Sequence, residues 1–142
     1  MDHLKENDIL SVRSNGNQQL IGRCILADRV LEKTTHSGFT IRIRFDTKKI
    51  FASYLCHYLK SNKAREHLVG GGSGINIKSL NQKTLGSLSV PFPPLSEQHA
   101  IVSKLDALSA ETKRLEDVYQ RKLAAQEEMR KSILQKAFAG EL

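Results

Sequence analysis

The sequence predicts an α+β protein in which a small mixed body is followed by one long, coiled-coil-forming α-helix. Apolar residues alternate with a period of two in residues 39–45 and recur at three- and four-residue steps in residues 49–61, so strand and helix are mixed in the body. Three prolines within residues 91–94 interrupt any regular element there. Beyond them no proline or glycine occurs until Gly140, which predicts a single helix.

The positive charge of the chain lies in the predicted body. The formal net charge is +7, and residues 1–95 hold 14 Lys and Arg against 7 Asp and Glu, whereas residues 96–142 hold 8 of each. A concentrated positive field attracts polyanions such as DNA, although a basic excess also keeps proteins soluble. We therefore divide the chain into two predicted domains, residues 1–94 and residues 95–142.

Membrane and disulfide-rich classes are excluded by composition. Hydrophobic residues make up 39% of the chain, but no apolar run approaches the roughly 18 residues of a membrane span. The first ten residues carry three acidic side chains and no apolar core, unlike a signal peptide. Cys24 and Cys56 are too few and too widely separated in sequence for a disulfide scaffold or a zinc knuckle. We expect a cytoplasmic protein with two reduced thiols.

The body is predicted to open with a β-hairpin. The apolar segments Asp8–Val12 and Leu20–Leu26 flank an Asn-Gly pair at Asn15 and Gly16. Because Asn-Gly favours positive φ at both central positions of a tight turn, the tip is predicted near Asn15.

A strand is predicted over residues 39–45, with one apolar and one basic face. Its inward residues are predicted to be Phe39, Ile41, Ile43 and Phe45. Arg42 and Arg44 then share the outward face. The remaining predicted elements of the body are helices at 49–61 and 62–69, a glycine-rich loop at 70–74, a short strand at 75–77, a helical turn at 79–85 and a strand at 88–92.

The C-terminal helix carries an apolar stripe that a body of this size cannot cover. Ser96 is predicted as its N-cap, and Glu97 suits the positive end of the helix dipole. About 44 residues at 1.5 Å each span roughly 66 Å. Such a helix needs a partner helix, which we expect to be a second copy of the chain. The predicted interface residues are Leu105, Leu108, Leu115, Tyr119, Met129, Ile133 and Phe138.

No catalytic constellation is found in the sequence. The glycine cluster lacks the Lys-Ser or Lys-Thr of a phosphate-binding loop, and the five histidines show no metal-ligand spacing. Asp28, Asp46 and Lys48 form only a loose nuclease-like set of a kind that arises by chance. We expect no cofactor, no metal and no enzymatic activity; a nuclease would instead require metal-dependent cleavage by the purified chain.

Three segments resemble the specificity subunit of type I restriction–modification systems. They are DILSVRSNGNQQLIGRC (residues 8–24), GSGINIKSLNQKTLGSLSVPFPPLSEQHAIVSKLDAL (residues 72–108) and SILQKAFAGEL (residues 132–142). The PPLSEQ junction leading into a long helix is the most specific of these features. In this family a chain has two recognition domains, whereas here one body precedes one helix. The chain is therefore expected to be the C-terminal part of one target-recognition domain with its conserved helix, either a fragment or a truncated half-subunit.

The resemblance implies a function in DNA recognition and complex assembly. Each recognition domain of such subunits reads half of a split DNA site, and the long helices pair as a spacer and dock methyltransferase subunits. The methyltransferase subunit holds S-adenosylmethionine, and a separate restriction subunit cleaves DNA. The alternative interpretation is a truncated adaptor that assembles methyltransferase subunits but lacks specific DNA readout.

Candidate DNA contacts follow from the predicted exposed elements of the body. Arginine and lysine contact phosphates, and amides or guanidinium groups reach base edges. A hairpin tip, a basic strand face and a glycine-flanked loop are the predicted positions of such groups. The predicted DNA-facing residues are Arg13, Asn15, Asn17, Arg42, Arg44, Ser73, Asn76 and Lys78.

Overall fold

The structure is a computed structural model that describes residues 3–30, 33–70 and 79–141. It consists of two compact units, Met1–Val102, here called the head, and Ser103–Leu142, here called the helical unit. The predicted contacts Ser73, Asn76 and Lys78 lie outside the described residues, as does the predicted strand at 75–77.

The head contains a three-stranded antiparallel sheet. Its strands are β1 (Ile9–Val12), β2 (Cys24–Leu26) and β3 (Thr40–Ile43), in the order β2-β1-β3. In the register, Leu10 lies opposite both Ile25 and Arg42. The predicted antiparallel pairing of the first two apolar segments is confirmed, and β1 is the central strand.

The predicted Asn-Gly hairpin tip is wrong. Neither Asn15 nor Gly16 has a positive φ, and a 3-10 turn at Gln18–Leu20 occupies the connection instead. The Asn15 side-chain oxygen accepts a hydrogen bond from the Asn17 N–H at 2.8 Å, so this segment forms a local side-chain turn. Gly22 supplies the positive φ, at +75°, where the chain passes closely against the Leu68 side chain.

The outward and inward faces of the sheet differ in chemistry. Ile9 and Cys24 are buried in the core, whereas Ile25 on the other face is 64% exposed. Ile41 and Ile43 pack against the core as predicted. Phe39 was predicted to point inward, but it is 70% exposed. Phe39 lies outside β3, in a turn closed by a hydrogen bond from the Thr40 N–H to the Ser37 carbonyl. The inward–outward alternation of strand residues therefore does not apply to Phe39.

Three helices of the head are α1 (Ala52–Lys60), α2 (Asn62–Gly70) and the short α3 (Gln82–Gly86). The first two confirm the predicted helices at 49–61 and 62–69. The α1 helix packs against β2, and α2 packs against α1 and α3. The buried core residues are Ile9, Ile21, Cys24, Leu55, Cys56, Leu59, Leu68 and Leu80.

Two cysteines distant in sequence meet in this core. The sulfur atoms of Cys24 and Cys56 lie 4.0 Å apart, well beyond the length of a disulfide bond, and both thiols are free and buried. Their hydrogen bond and burial together raise the pKa of the Cys24 thiol. The two thiols therefore act as packing groups that join β2 to α1.

The predicted strand at 88–92 is wrong, although its alternation has a structural basis. Leu88 and Val90 are half-buried against the core. The carbonyl groups of Ser89 and Pro91 accept hydrogen bonds from tyrosine side chains rather than from a neighbouring strand. Tyr54 donates to the Pro91 carbonyl at 2.7 Å and Tyr58 to the Ser89 carbonyl at 2.9 Å. Burial raises the pKa of Tyr54, which keeps its phenol in the donating form.

The long helix α4 (Leu95–Ala139) has 45 residues and confirms the predicted uninterrupted helix. It begins one residue before the predicted N-cap. The Pro94 carbonyl accepts the N–H groups of both Glu97 and Gln98, so Ser96 already lies inside the first turn. The helix ends before Gly140, whose φ is +74°.

Candidate DNA and subunit interfaces

The first turns of α4 are fixed to the head by the side chain of Gln98. This residue is fully buried, and its amide nitrogen donates to the carbonyls of Lys49 at 3.1 Å and Pro93 at 2.8 Å. Its amide oxygen accepts the Phe51 N–H at 2.8 Å. Because all three partners are main-chain groups, Gln98 positions the start of α4 against the segment before α1. The glutamine of the PPLSEQ junction was not among the predicted site residues.

The predicted DNA contact Arg44 is held by a buried carboxylate. Its Nε and Nη2 atoms donate to the two carboxylate oxygens of Asp8 at 2.8 and 2.7 Å, and Asp8 is 1% exposed. Nη2 also donates to the His3 carbonyl at 3.0 Å. The hydrogen bond from Arg44 lowers the pKa of Asp8 below 3.8. This bidentate pair joins the residue before β1 to the residue after β3, which gives Arg44 a structural contact that sequence periodicity did not indicate.

Two other predicted residues, Arg13 and Arg42, line one cavity. This β3 cavity has a volume of about 570 Å³ and is also lined by Asn81 and Gln82. Arg42 donates as well to the His3 carbonyl at 3.5 Å. The structure thus brings together one cation from the end of β1 and one from the outward face of β3, beside two side-chain amides.

Two further cavities of the head share lining residues with the β3 cavity or with each other. Thr40 lines both the β3 cavity and a central cavity of about 590 Å³, whose floor contains Leu10, Val12 and Ile25. Arg23 and Arg65 line both the central cavity and an α2 cavity of about 610 Å³. We call these three adjoining cavities the cationic track.

The cationic track is strongly unbalanced in charge. Its cations are Arg13, Arg23, Arg42, Lys60 and Arg65. Among its described lining residues Glu66 is the one carboxylate. The track lies entirely within the head, which contains the basic residues 1–95. Arg23, Lys60 and Arg65 were not predicted, because they lie in the segment before β2, at the end of α1 and in α2, and no local pattern groups them.

The predicted contacts Asn15 and Asn17 are exposed but line none of these three cavities. Asn17 accepts the Gln19 N–H through its side-chain oxygen at 2.9 Å, as Asn15 does with Asn17. Both side-chain oxygens are therefore used within the connection, and the amide nitrogens are the groups these residues could offer to DNA.

The helical unit exposes the predicted interface. Between Ser103 and Glu141 the half-buried Val118 is the one residue that is not exposed. All seven predicted interface residues are therefore open, with exposed fractions from 38% at Leu105 to 90% at Phe138. Leu123 and Leu134 are also exposed, at 59% and 47%, and extend the same set. We call these nine side chains the apolar stripe.

The described residues include neither a cluster of metal ligands nor a membrane-spanning helix. No three His, Cys, Asp or Glu side chains described by the structure come together as a metal site. None of the helices in the described part of the chain combines the length and apolar character that a membrane crossing requires.

Comparison with known proteins places the chain in one family. Residues 3–123 match the family model described as type I restriction modification DNA specificity domain. The chain is 32% identical over 140 residues, 98% of its length, to the specificity subunit of the type I restriction enzyme StySPI from Salmonella potsdam. It is 28% identical over 108 residues to the EcoKI specificity subunit and 36% identical over 101 residues to the EcoBI specificity subunit, both from Escherichia coli.

The chain spans less than a third of the length of these relatives. The matched regions cover 76% of this chain against EcoKI and 71% against EcoBI. They amount to 30% of the StySPI subunit, 23% of the EcoKI subunit and 21% of the EcoBI subunit. The likeness therefore includes both the head and α4 but corresponds to one part of each relative.

Proposed function

This chain belongs to the type I restriction modification DNA specificity family, and we propose on that basis that it recognises DNA and assembles a type I complex without catalysis of its own. The head binds double-stranded DNA, and the helical unit binds protein subunits. The observation that carries the proposal is the cationic track, five cations and one carboxylate along adjoining cavities of the head. Such a surface neutralises phosphates, whereas the apolar stripe of the helical unit suits another helix.

The proposed partners follow this division. Two copies of the chain pair through the apolar stripe, and the paired helices dock the methyltransferase subunit, which binds S-adenosylmethionine. A restriction subunit joins the same cytoplasmic complex. A 45-residue helix is about 68 Å long. Because one face of the major groove recurs every ~34–36 Å, antiparallel helices of this length suit two heads reading half-sites one or two turns apart.

Within the proposal, Arg13 and Arg42 are the predicted residues with the strongest support as DNA contacts. They share the β3 cavity with the amides of Asn81 and Gln82. Arginine contacts phosphates or guanine edges, and amides contact adenine edges. Arg44 contributes indirectly, because its pairing with Asp8 holds β3 against the segment before β1.

Co-expression of the chain with its cognate methyltransferase subunit tests the proposal. The complex is purified, and the adenine positions that it methylates in genomic DNA are mapped by sequencing. We expect a bipartite, symmetric target, because two identical heads would read both halves. The same complex made with Arg13→Ala and Arg42→Ala is expected to methylate that target at least tenfold more slowly.

Salt dependence separates sequence reading from the adaptor alternative. A DNA-reading head keeps a preference for the methylated target over a scrambled duplex as salt rises, because base contacts are less screened than phosphate contacts. Loss of all preference with a stable complex would identify an adaptor. A complex that neither binds DNA nor directs methylation would contradict the proposed function.

A further inference from the structure

We propose that the α2 cavity is a second DNA-reading surface, in which Arg23 and Arg65 bind phosphates and the amides of Gln18 and Asn62 contact base edges. This inference rests on the proposed function and assigns a role to residues at the opposite end of the cationic track from Arg13 and Arg42. The cavity is formed where the 3-10 turn before β2 meets the start of α2.

The cations of this surface are concentrated, and the Arg23 guanidinium is available. Arg23 and Arg65 line both the central and the α2 cavity, and Lys60 joins them in the central cavity. Arg23 and Lys60 are exposed. No described residue hydrogen-bonds to or forms an ion pair with the Arg23 guanidinium, in contrast to Arg44, which is held by Asp8. A guanidinium with open donors on an exposed surface suits a phosphate.

The turn that carries Gln18 is held by two hydrogen bonds and closed by a glycine. Asn17 caps it by accepting the Gln19 N–H, and Arg65 Nη2 donates to the Gln19 carbonyl at 2.9 Å. Gly22 closes the turn with a positive φ, at a point where an added Cβ would lie 3.5 Å from the Leu68 Cβ. A fixed turn loses little conformational entropy on binding, which favours specific recognition.

The side chains presented by this surface are those that read base edges. Gln18 and Asn62 are exposed, and their amides find no hydrogen-bond partner among the described residues. Glutamine and asparagine bind the adenine edge in the major groove through two hydrogen bonds. Amide groups beside guanidinium groups therefore combine the two kinds of contact, base and phosphate, that specific DNA binding requires.

The same composition argues against a protein subunit on this surface. Val69 is the one apolar side chain among the described residues that line the α2 cavity, and it is half-buried. Protein interfaces have a desolvated core rich in aromatic and apolar side chains, and one half-buried valine supplies little of such a core. DNA is therefore the occupant that the chemistry favours.

Two pairs of substitutions in the complex with the methyltransferase subunit test the inference. Affinity for a 30-base-pair duplex is measured by fluorescence anisotropy over a series of salt concentrations. The variant with Arg23→Ala and Arg65→Ala is expected to bind more weakly, with a slope of log affinity against log salt that is shallower by about 2, because two phosphate contacts are lost. The variant with Gln18→Ala and Asn62→Ala is expected to keep the slope but methylate an altered set of target sequences.

A matched control removes the same charge elsewhere. Arg114→Ala with Arg130→Ala takes two arginines from exposed pairs of α4 and is expected to leave the salt slope unchanged. Arg65 also donates a hydrogen bond to the Gln19 carbonyl, so its loss could disturb the fold of the head. If thermal unfolding shows that the double variant is misfolded, Arg23→Ala alone is used instead. Its expected change in the salt slope is about 1.

Three results would overturn the inference. The first is a wild-type salt slope in the arginine variants, and the second is an unchanged methylation target in the amide variant. The third is loss of the methyltransferase subunit from the arginine variants, which would identify a protein-docking surface. In each case a wild-type complex that still methylates a defined target leaves the proposed function intact, whereas a wild-type complex that binds no DNA refutes both.

Discussion

Contacts in the head and in the helical unit differ in how far they reach along the sequence. In the head, the Asp8–Arg44 pair joins residues 36 apart, and the Gln98 amide binds Phe51 from 47 residues away. In the helical unit, side-chain contacts such as that of Arg114 with Glu111 and that of Arg121 with the Asp117 carbonyl join residues three or four apart. The head is thus cross-linked by tertiary contacts, whereas the helical unit is held by local ones.

This difference indicates where each unit obtains its stability. Pairs three or four residues apart on an exposed helix contribute only about 0.2–0.5 kcal/mol each. Most helical stability in proteins comes from packing of an apolar face. In the helical unit that face, the apolar stripe, is exposed. The head is therefore expected to fold by itself, and the helical unit to be stabilised by association.

Charged substitutions in the apolar stripe are expected to have the largest effect. Leu108 and Leu115 are 65% and 47% exposed in the single chain and would be desolvated in a helix pair. We expect the variant with Leu108→Asp and Leu115→Asp to dissociate at least a thousandfold more readily, about 4 kcal/mol, because two carboxylates would lose water on pairing. Sedimentation velocity across a concentration series measures the association.

The control introduces the same charges off the stripe. Ala110→Asp with Gln120→Asp adds two carboxylates to exposed positions of α4 and is expected to associate as wild type. If the wild-type chain is a monomer both alone and with the methyltransferase subunit, pairing through the stripe is wrong.

Gln98→Leu is expected to have the next largest effect, and on the head alone. Leucine fills a similar volume but leaves the Phe51 N–H and the carbonyls of Lys49 and Pro93 without their buried partner. Each buried group left unpaired costs on the order of 1–3 kcal/mol. We expect a loss of about 3 kcal/mol in the free energy of unfolding. Urea unfolding followed through the near-ultraviolet signal of the head tyrosines, Tyr54 and Tyr58, measures it.

The same substitution on the exposed part of α4 sharpens the comparison. Gln120→Leu removes an amide from an exposed position and is expected to leave the head's unfolding midpoint unchanged. Equal midpoints for Gln98→Leu and wild type would show that the glutamine is not what anchors the first turns of α4.

Elements with a strong local period could be predicted from sequence. The apolar steps of residues 49–61 and the uninterrupted run after Pro94 correctly predicted α1 and α4. Phe39 was predicted wrongly because the strand begins only at Thr40. Residues 88–92 were predicted wrongly because alternation there reports which side chains are buried, not which hydrogen bonds are made. At 88–92 the alternation is present, but the hydrogen-bond donors are Tyr54 and Tyr58 rather than a strand.

The candidate site was harder to predict, because its residues meet only through the fold. The strand alternation predicts the same outward orientation for Arg42 and Arg44. In the structure, however, Arg44 pairs with the buried Asp8. Arg42 instead lines a cavity together with Arg13. Nothing in the local sequence separates them, since the deciding partner lies 36 residues away. Likewise Arg23 and Arg65 come from a turn and a helix whose proximity depends on the packing of the whole head.

Asp8→Asn is expected to have the smallest of these effects and to depend on pH. The substitution replaces the buried carboxylate that receives two hydrogen bonds from Arg44. Because hydrogen bonds to charged groups contribute roughly 1.5–3 kcal/mol, we expect a loss of about 2 kcal/mol in the free energy of unfolding near pH 7. Urea unfolding between pH 7 and pH 2.5 measures the difference from wild type.

The pH range over which this difference disappears follows from the direction of the pKa shift. The pKa of Asp8 in the folded head lies below 3.8, its ordinary value. Its stabilising contribution is therefore complete above the unfolded pKa, near pH 4, and is lost as the pH falls through the lower folded pKa. Wild type and Asp8→Asn should thus converge only below about pH 4.

Asp117→Asn, at an exposed position of α4, is expected to follow wild type at every pH. A difference between wild type and Asp8→Asn that stayed constant into acid would mean that packing, rather than the carboxylate, distinguishes this aspartate from those of the helical unit.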